Sequence, residues 1–141
     1  MMCYGHLTKR ILCRFAASFS KLFNMEVEYL YYEGHPSNVI PSLIRSVGQY
    51  HRNYEYVKIG ITADPNRRFR EHLDREKKYC WERMVVKYRT KSIRNANKIE
   101  DFFIENDERM RNIWTGMSHM TPDAQYYYAY ILLGNHRHYK V

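Results

Sequence analysis

Between residues 27 and 133 the chain breaks into short apolar runs separated by polar turns that carry proline or glycine. Residues 27–32, "VEYLYY", are rich in β-formers and stop at Gly34-His35-Pro36, which predicts a first strand. Residues 38–48, "NVIPSLIRSVG", predict a short helix with Pro41 in its first turn and Gly48 at its end. Alternation in "YEYVKIGIT", 54–62, predicts a second strand. Asp64 then reads as an N-cap, with Pro65 at the first helical position of a helix through "NRRFREHLDREKK". A third strand is predicted over 81–90, "WERMVVKYRT". Ser92 is placed to cap the helix "IRNANKIEDFFIENDERMRNI", which Gly116 ends. "QYYYAYILL", 125–133, fits a fourth strand or a closing helix, because so short an apolar run has no deciding period. Near the start, Leu7, Ile11, Phe15, Phe19, Leu22 and Phe23 recur at helical spacing.

These elements predict an α+β fold: a small three-stranded, mainly antiparallel sheet flanked by helices, preceded by an N-terminal amphipathic helix. The expected organisation is an extension over 1–25, one domain over 26–133 and a polar tail over 134–141. No apolar run approaches the ~20 residues that cross a bilayer, so no transmembrane segment is expected.

Charge narrows the class of partner. The formal net charge is +8, which favours an anionic partner, nucleic acid first and an acidic membrane surface second. Half of it comes from Lys9, Arg10, Arg14 and Lys21 in the first 25 residues, which hold no acid. That segment reads as a helix packed on the domain, as an organelle-targeting presequence over 1–24, or as a nucleic-acid or membrane contact. The cysteines, Cys3, Cys13 and Cys80, are odd in number and form no CxxC. This speaks against a disulfide framework or a thiolate zinc site and for an intracellular, reducing compartment.

Several residues are candidates for chemistry. Arg68 and His72 are four apart and share a helix face, where they could meet a phosphate near the turn, with Arg67 and Arg70 as further nucleic-acid contacts. Gly60, just before the turn, leaves room for close approach of backbone or substrate. The bland alternative is a solvated basic face partnered by Glu71 and Asp74. Glu100 borders the apolar stripe of Ala96, Ile99 and Phe103. A carboxylate there needs a partner or a cation, and Mg²⁺ suits one carboxylate and several waters. A salt bridge or simple exposure would explain it equally. Tyr29 and Tyr31 point to one face of the first strand. Either could act as a general base, with Lys58 on the neighbouring strand supplying the nearby charge, or could fill the core. His136 and His138 form an HxH without a third ligand. Glycine-rich phosphate loops, nucleophile elbows and HExxH are absent from the sequence.

Taken together, "YVKIGITADPNRRFREH", 56–72, resembles the second half of the GIY-YIG nuclease signature. There a strand ending in Tyr-Ile-Gly leads through a turn into a helix with Arg and often His four residues later, here Ile59-Gly60, Arg68 and His72. "NANKIEDFFIE" is similar to the family helix in which an Ala precedes the metal-binding Glu, here Glu100. "VEYLYY" stands where the GIY strand is expected. The resemblance spans residues 26–106. It departs from the family at Lys58, which replaces the second-strand Tyr as in branches reading "KIG", and in lacking Gly-Ile-Tyr. More than twenty residues separate the two strand motifs, so an inserted helix is implied. Asn112 is the counterpart of the family's late Asn by spacing alone.

The resemblance implies a one-metal phosphodiesterase acting on DNA, with RNA left open and no small-molecule cofactor. Glu100 would hold one Mg²⁺ or Mn²⁺. Tyr31, or Tyr29 in its place, would deprotonate water with help from Lys58. Arg68 and His72 would neutralise the scissile phosphate. Breaking a duplex would take a homodimer or two successive nicks. The competing expectations are an inactive nucleic-acid-binding module on the same fold and an interaction protein acting through its N-terminal helix.

Overall fold

The computed structural model describes residues 26–116, 120 and 123–136. The amphipathic helix expected over 1–25 and His138 lie outside the described residues.

Among the described residues, four strands form one mixed sheet: β1 (Glu28–Tyr32), β2 (Tyr56–Thr62), β3 (Trp81–Thr90) and β4 (Tyr127–Gly134), in the order β1-β3-β4-β2. β4 pairs antiparallel with both β2 and β3, and β1 joins β3 in parallel. The helices are α1 (Pro36–Asn53), α2 (Pro65–Arg75), α3 (Ile93–Asn106) and α4 (Glu108–Ile113), with a 3₁₀ turn at Lys77–Tyr79. The fold is thus α+β and mainly antiparallel. The expected three strands become four because 125–133 supplies a strand, not a helix.

Period-two alternation gives the sheet two buried faces. Val57, Ile59 and Ile61 of β2 and Tyr127, Ala129, Ile131 and Leu133 of β4 meet α1, α3 and α4 on one face. Tyr130 and Leu132, with Met84 and Val86 of β3, meet Phe69 and Leu73 of α2 on the other. β4 therefore belongs to both cores, which is why so short a run reads as apolar throughout.

Local chemistry sets the helix ends. Asp64 accepts from the Arg67 N–H at 3.2 Å ahead of Pro65, and Ser92 accepts from the Asn95 N–H at 3.1 Å, as the sequence predicts. His35 caps α1 two residues earlier than expected, so Pro41 lies inside the helix and Gly48 is not its end. The long helix expected over 93–113 divides at Asp107. Its carboxylate caps α4 through the Met110 N–H at 3.1 Å and holds His51 at 2.6 Å. Cys80, the one described cysteine, is disulfide-bonded, a pairing that the odd cysteine count did not predict.

The position of β1 corrects a second expectation. It lies on the opposite sheet edge from β2, held to β3 by a two-bonded Arg83–Glu28 pair (2.6 and 2.7 Å). Two strands separate it from Lys58, about 14 Å at three interstrand spacings.

Candidate active site

The site assembles over Gly60, which pairs with Tyr130 across β2 and β4. A Cβ at position 60 would overlap the Tyr130 phenol, so the space this glycine leaves is taken by a tyrosine ring. α2 lies over that ring. Arg68, His72 and Glu76 follow one another at four-residue intervals from α2 into its C-cap and point the same way.

Their polar atoms form a chain. The Tyr130 hydroxyl lies 2.7 Å from His72 Nε2 and accepts from Arg68 Nε at 3.4 Å. His72 Nδ1 lies 3.0 Å from Glu76 Oε1. A carboxylate accepts only if Nδ1 carries the proton, which leaves Nε2 to accept from Tyr130. Glu76 also accepts from Trp81 Nε1 (3.1 Å) and Lys58 Nζ (2.7 Å), and Lys58 donates to Thr115 Oγ1 (3.2 Å). Glu100, on α3, accepts from Trp114 Nε1 at 3.4 Å. Lys58, His72, Glu100 and Tyr130 are each at most 3% exposed.

Burial and pairing set the charges. Burial alone would raise Glu76, yet hydrogen bonds from His72 and Lys58 outweigh it and hold the carboxyl at about 2. Burial lowers Lys58 and His72, with Glu76 opposing in both cases. Tyr130 is raised by burial against the pull of Arg68, so its hydroxyl is a neutral donor to His72. Arg68 is raised although burial works against its charge, because Tyr130 and Glu71 favour the guanidinium. Glu100 is pushed up to about 7, first by burial and with little relief from Trp114, Arg68 and Lys58.

A cleft of about 220 Å³ opens on this chain, lined by Arg68, Glu71, His72, Arg75, Glu76 and Thr115. Glu71 occupies Arg68 at 2.8 Å and Arg67 at 3.4 Å. Both Arg68 and Glu71 are half-buried and still reach water, and a partly solvated pair of this kind is worth on the order of 1 kcal/mol, so an arriving phosphate can displace Glu71.

Glu100 is the carboxylate that bears on metal binding. Among the described residues no three His, Cys, Asp or Glu side chains gather as a metal cage. A water-rich Mg²⁺ or Mn²⁺ needs one carboxylate, and buried Glu100, with one neutral donor, fits that demand.

Glu76 gives a pH prediction. Its folded value lies below the ordinary one, so its contribution is present above about pH 4.5 and is lost as pH falls through about 2. Two and a half units correspond to about 3 kcal/mol, less the part offset by the depressed Lys58 and His72. Urea denaturation should show the intact protein losing stability across that acid window. Glu76→Gln should be destabilised by about 3 kcal/mol at neutral pH and nearly flat across the window. Equal acid slopes would remove Glu76 from the account.

The structure brings together Lys58, Gly60, Arg68 and His72 of the sequence-derived candidates, while Glu100 bonds to Trp114 and feels Arg68 and Lys58 electrostatically. Arg67 and Arg70 are exposed on α2, and Asn112 is exposed on α4. Tyr29 and Tyr31 do not join the cluster: Tyr29 packs edge-on against Tyr128, and Tyr31 lies against Arg89. Lys58 therefore has no first-strand tyrosine to assist. His136 sits against the Tyr56 ring. Two members were missed. Glu76 was readable as the next step of the Arg68–His72 spacing. Tyr130, 58 residues from His72, carried no local signal.

Comparison with family models, with curated proteins and with solved structures finds no match to this chain.

Proposed function

We propose that this chain is a divalent-metal-dependent endonuclease that hydrolyses DNA phosphodiester bonds at a site similar to that of the GIY-YIG nucleases. The observation that carries the reading is the chain of Arg68, Tyr130, His72 and Glu76 beside a cleft, with Glu100, a buried carboxylate that accepts from Trp114, near enough to feel Arg68 and Lys58 electrostatically. Arg68 leaves Glu71 for the scissile phosphate and neutralises its growing charge. The attacking water's proton enters at the Tyr130 oxygen as the phenol proton passes to His72 Nε2, and Glu76 stabilises the imidazolium. The water oxygen bonds to phosphorus as the bond to the leaving sugar oxygen breaks, and that alkoxide takes a proton from solvent water to leave as the alcohol. Glu100 would hold Mg²⁺ or Mn²⁺, which supplies Lewis-acid charge when bound. Cutting both strands calls for two copies or two nicks.

Lys58 favours a second reading. Where the family has a tyrosine, this chain has a buried lysine tied to Glu76 and Thr115, which suits a nucleic-acid-binding module without catalysis. That reading predicts salt-sensitive binding and no cleavage with any divalent ion.

Arg68→Ala tests the first reading on end-labelled DNA with paired and unpaired segments in Mn²⁺. Cleavage should fall about 100-fold or more, with partial recovery in Arg68→Lys. Unchanged cutting by a folded Arg68→Ala protein would defeat the assignment.

Among the described residues no helix is long and apolar enough to cross a membrane.

A further inference from the structure

We propose that the tyrosine corner of the sheet is a stacking platform for single-stranded nucleic acid, so that the substrate of the site above carries an unpaired segment. The cutting step rests on the nuclease reading; the platform does not.

β4 brings Tyr128 onto the face that carries Tyr130, Tyr126 just ahead of β4 packs against Tyr128, and β1 brings Tyr29 and Tyr31 beside them. Tyr29 is 46% exposed, and Tyr31, Tyr126 and Tyr128 are half-buried. The rings touch: Tyr29 to Tyr128 at 6.3 Å and Tyr126 to Tyr128 at 6.5 Å between centroids. Cations interleave with them. The Arg89 guanidinium lies 4.3 Å from the Tyr126 centroid and 4.8 Å from that of Tyr31, and Lys91 Nζ lies 5.7 Å from Tyr126. Glu33 offsets part of this charge through Arg89 at 3.1 Å.

Four tyrosines interleaved with basic groups at one corner suit a chain with flat rings and a charged backbone. Unpaired bases stack on such rings, and phosphates meet the cations. A paired duplex keeps its bases out of reach and offers mainly phosphates. The corner also leads to the site. Tyr29 stands opposite Val86, Val86 opposite Tyr130 and Tyr130 opposite Gly60, so one row of the sheet joins the platform to the cluster in about 14 Å. Asp64, which caps the helix carrying Arg68, is near enough to act on Tyr29 electrostatically.

The test is fluorescence anisotropy of labelled oligo(dT) and of a duplex of equal length, with EDTA present so that nothing is cut. The intact protein should favour the single strand. Tyr126→Ala and Tyr29→Leu should each weaken single-strand binding about tenfold and change duplex binding less than about twofold. Tyr126→Phe, which keeps the ring, should bind as the intact protein does. Equal losses on both probes, or none on either, would overturn the platform. So would light scattering that shows a dimer dispersed by Tyr126→Ala while single-strand binding stays intact, because the corner would then be a self-interface. Single-strand preference without cleavage under any divalent ion would leave the platform standing and defeat the nuclease reading. Cleavage without that preference would do the reverse.

Discussion

Glu100→Gln should abolish metal-dependent cleavage while making the metal-free protein more stable above neutral pH. The substitution keeps the shape and the Trp114 contact and removes only the charge. If Glu100 holds the ion, cleavage should fall about a thousandfold or more, because both charge stabilisation and positioning are lost. The stability arm has a definite sign. A carboxyl whose folded value is raised to about 7 is neutral in the fold at low pH, so intact protein and variant are alike below about pH 4.5. Between about pH 4.5 and 7 the unfolded chain ionises this carboxyl while the fold keeps it neutral, so the intact protein loses about 3 kcal/mol as an order of magnitude across that window. The variant should therefore melt higher at about pH 8 and equally at about pH 4. Mn²⁺ should raise the melting temperature of the intact protein and leave that of the variant unchanged. A variant that cuts normally, or that gains nothing in alkali, contradicts this role.

Tyr130→Phe should have the next largest effect. It removes one oxygen, to which Arg68 donates and which lies against His72. Proton transfer by a positioned group is worth about 10²–10⁴-fold, so cleavage should fall within that range. DNA binding should hold, because Arg68 and the exposed arginines remain. Tyr31→Phe and Tyr29→Phe keep their rings and lie across the sheet, so both should cut normally. Single-turnover cleavage of the three variants separates the β4 tyrosine from those of β1. A defect in Tyr31→Phe with normal cutting by Tyr130→Phe would return the role to the first strand.

The contrast between these tyrosines marks how far the sequence could be read. Asp64, Pro65 and Ser92 predicted helix starts because capping is local. Arg68 and His72 came together on one face because a helix fixes the i, i+4 relation. Glu76 extends the same rule and was legible by it. Strand pairing obeys no local rule. "VEYLYY" is a strand in either sheet edge's company, and nothing within it says that its partner is β3 and not β2. The apolar run at 127–133 hid its alternation because both faces of β4 are buried, and with it hid Tyr130. Gly60 carried the one indirect clue, since a glycine in a strand interior leaves room for something close. Its occupant is a tyrosine from the strand whose type the sequence left open.

The measurement closest to the central claim is conversion of supercoiled plasmid by the intact protein with Mg²⁺, with Mn²⁺ and with EDTA. Nicked or linear product in the metal lanes alone, lost in Glu100→Gln, is the predicted result. Supercoiled plasmid left intact in every lane, by protein that binds it in a salt-sensitive way, would contradict the nuclease reading and favour a binding module built on the same sheet.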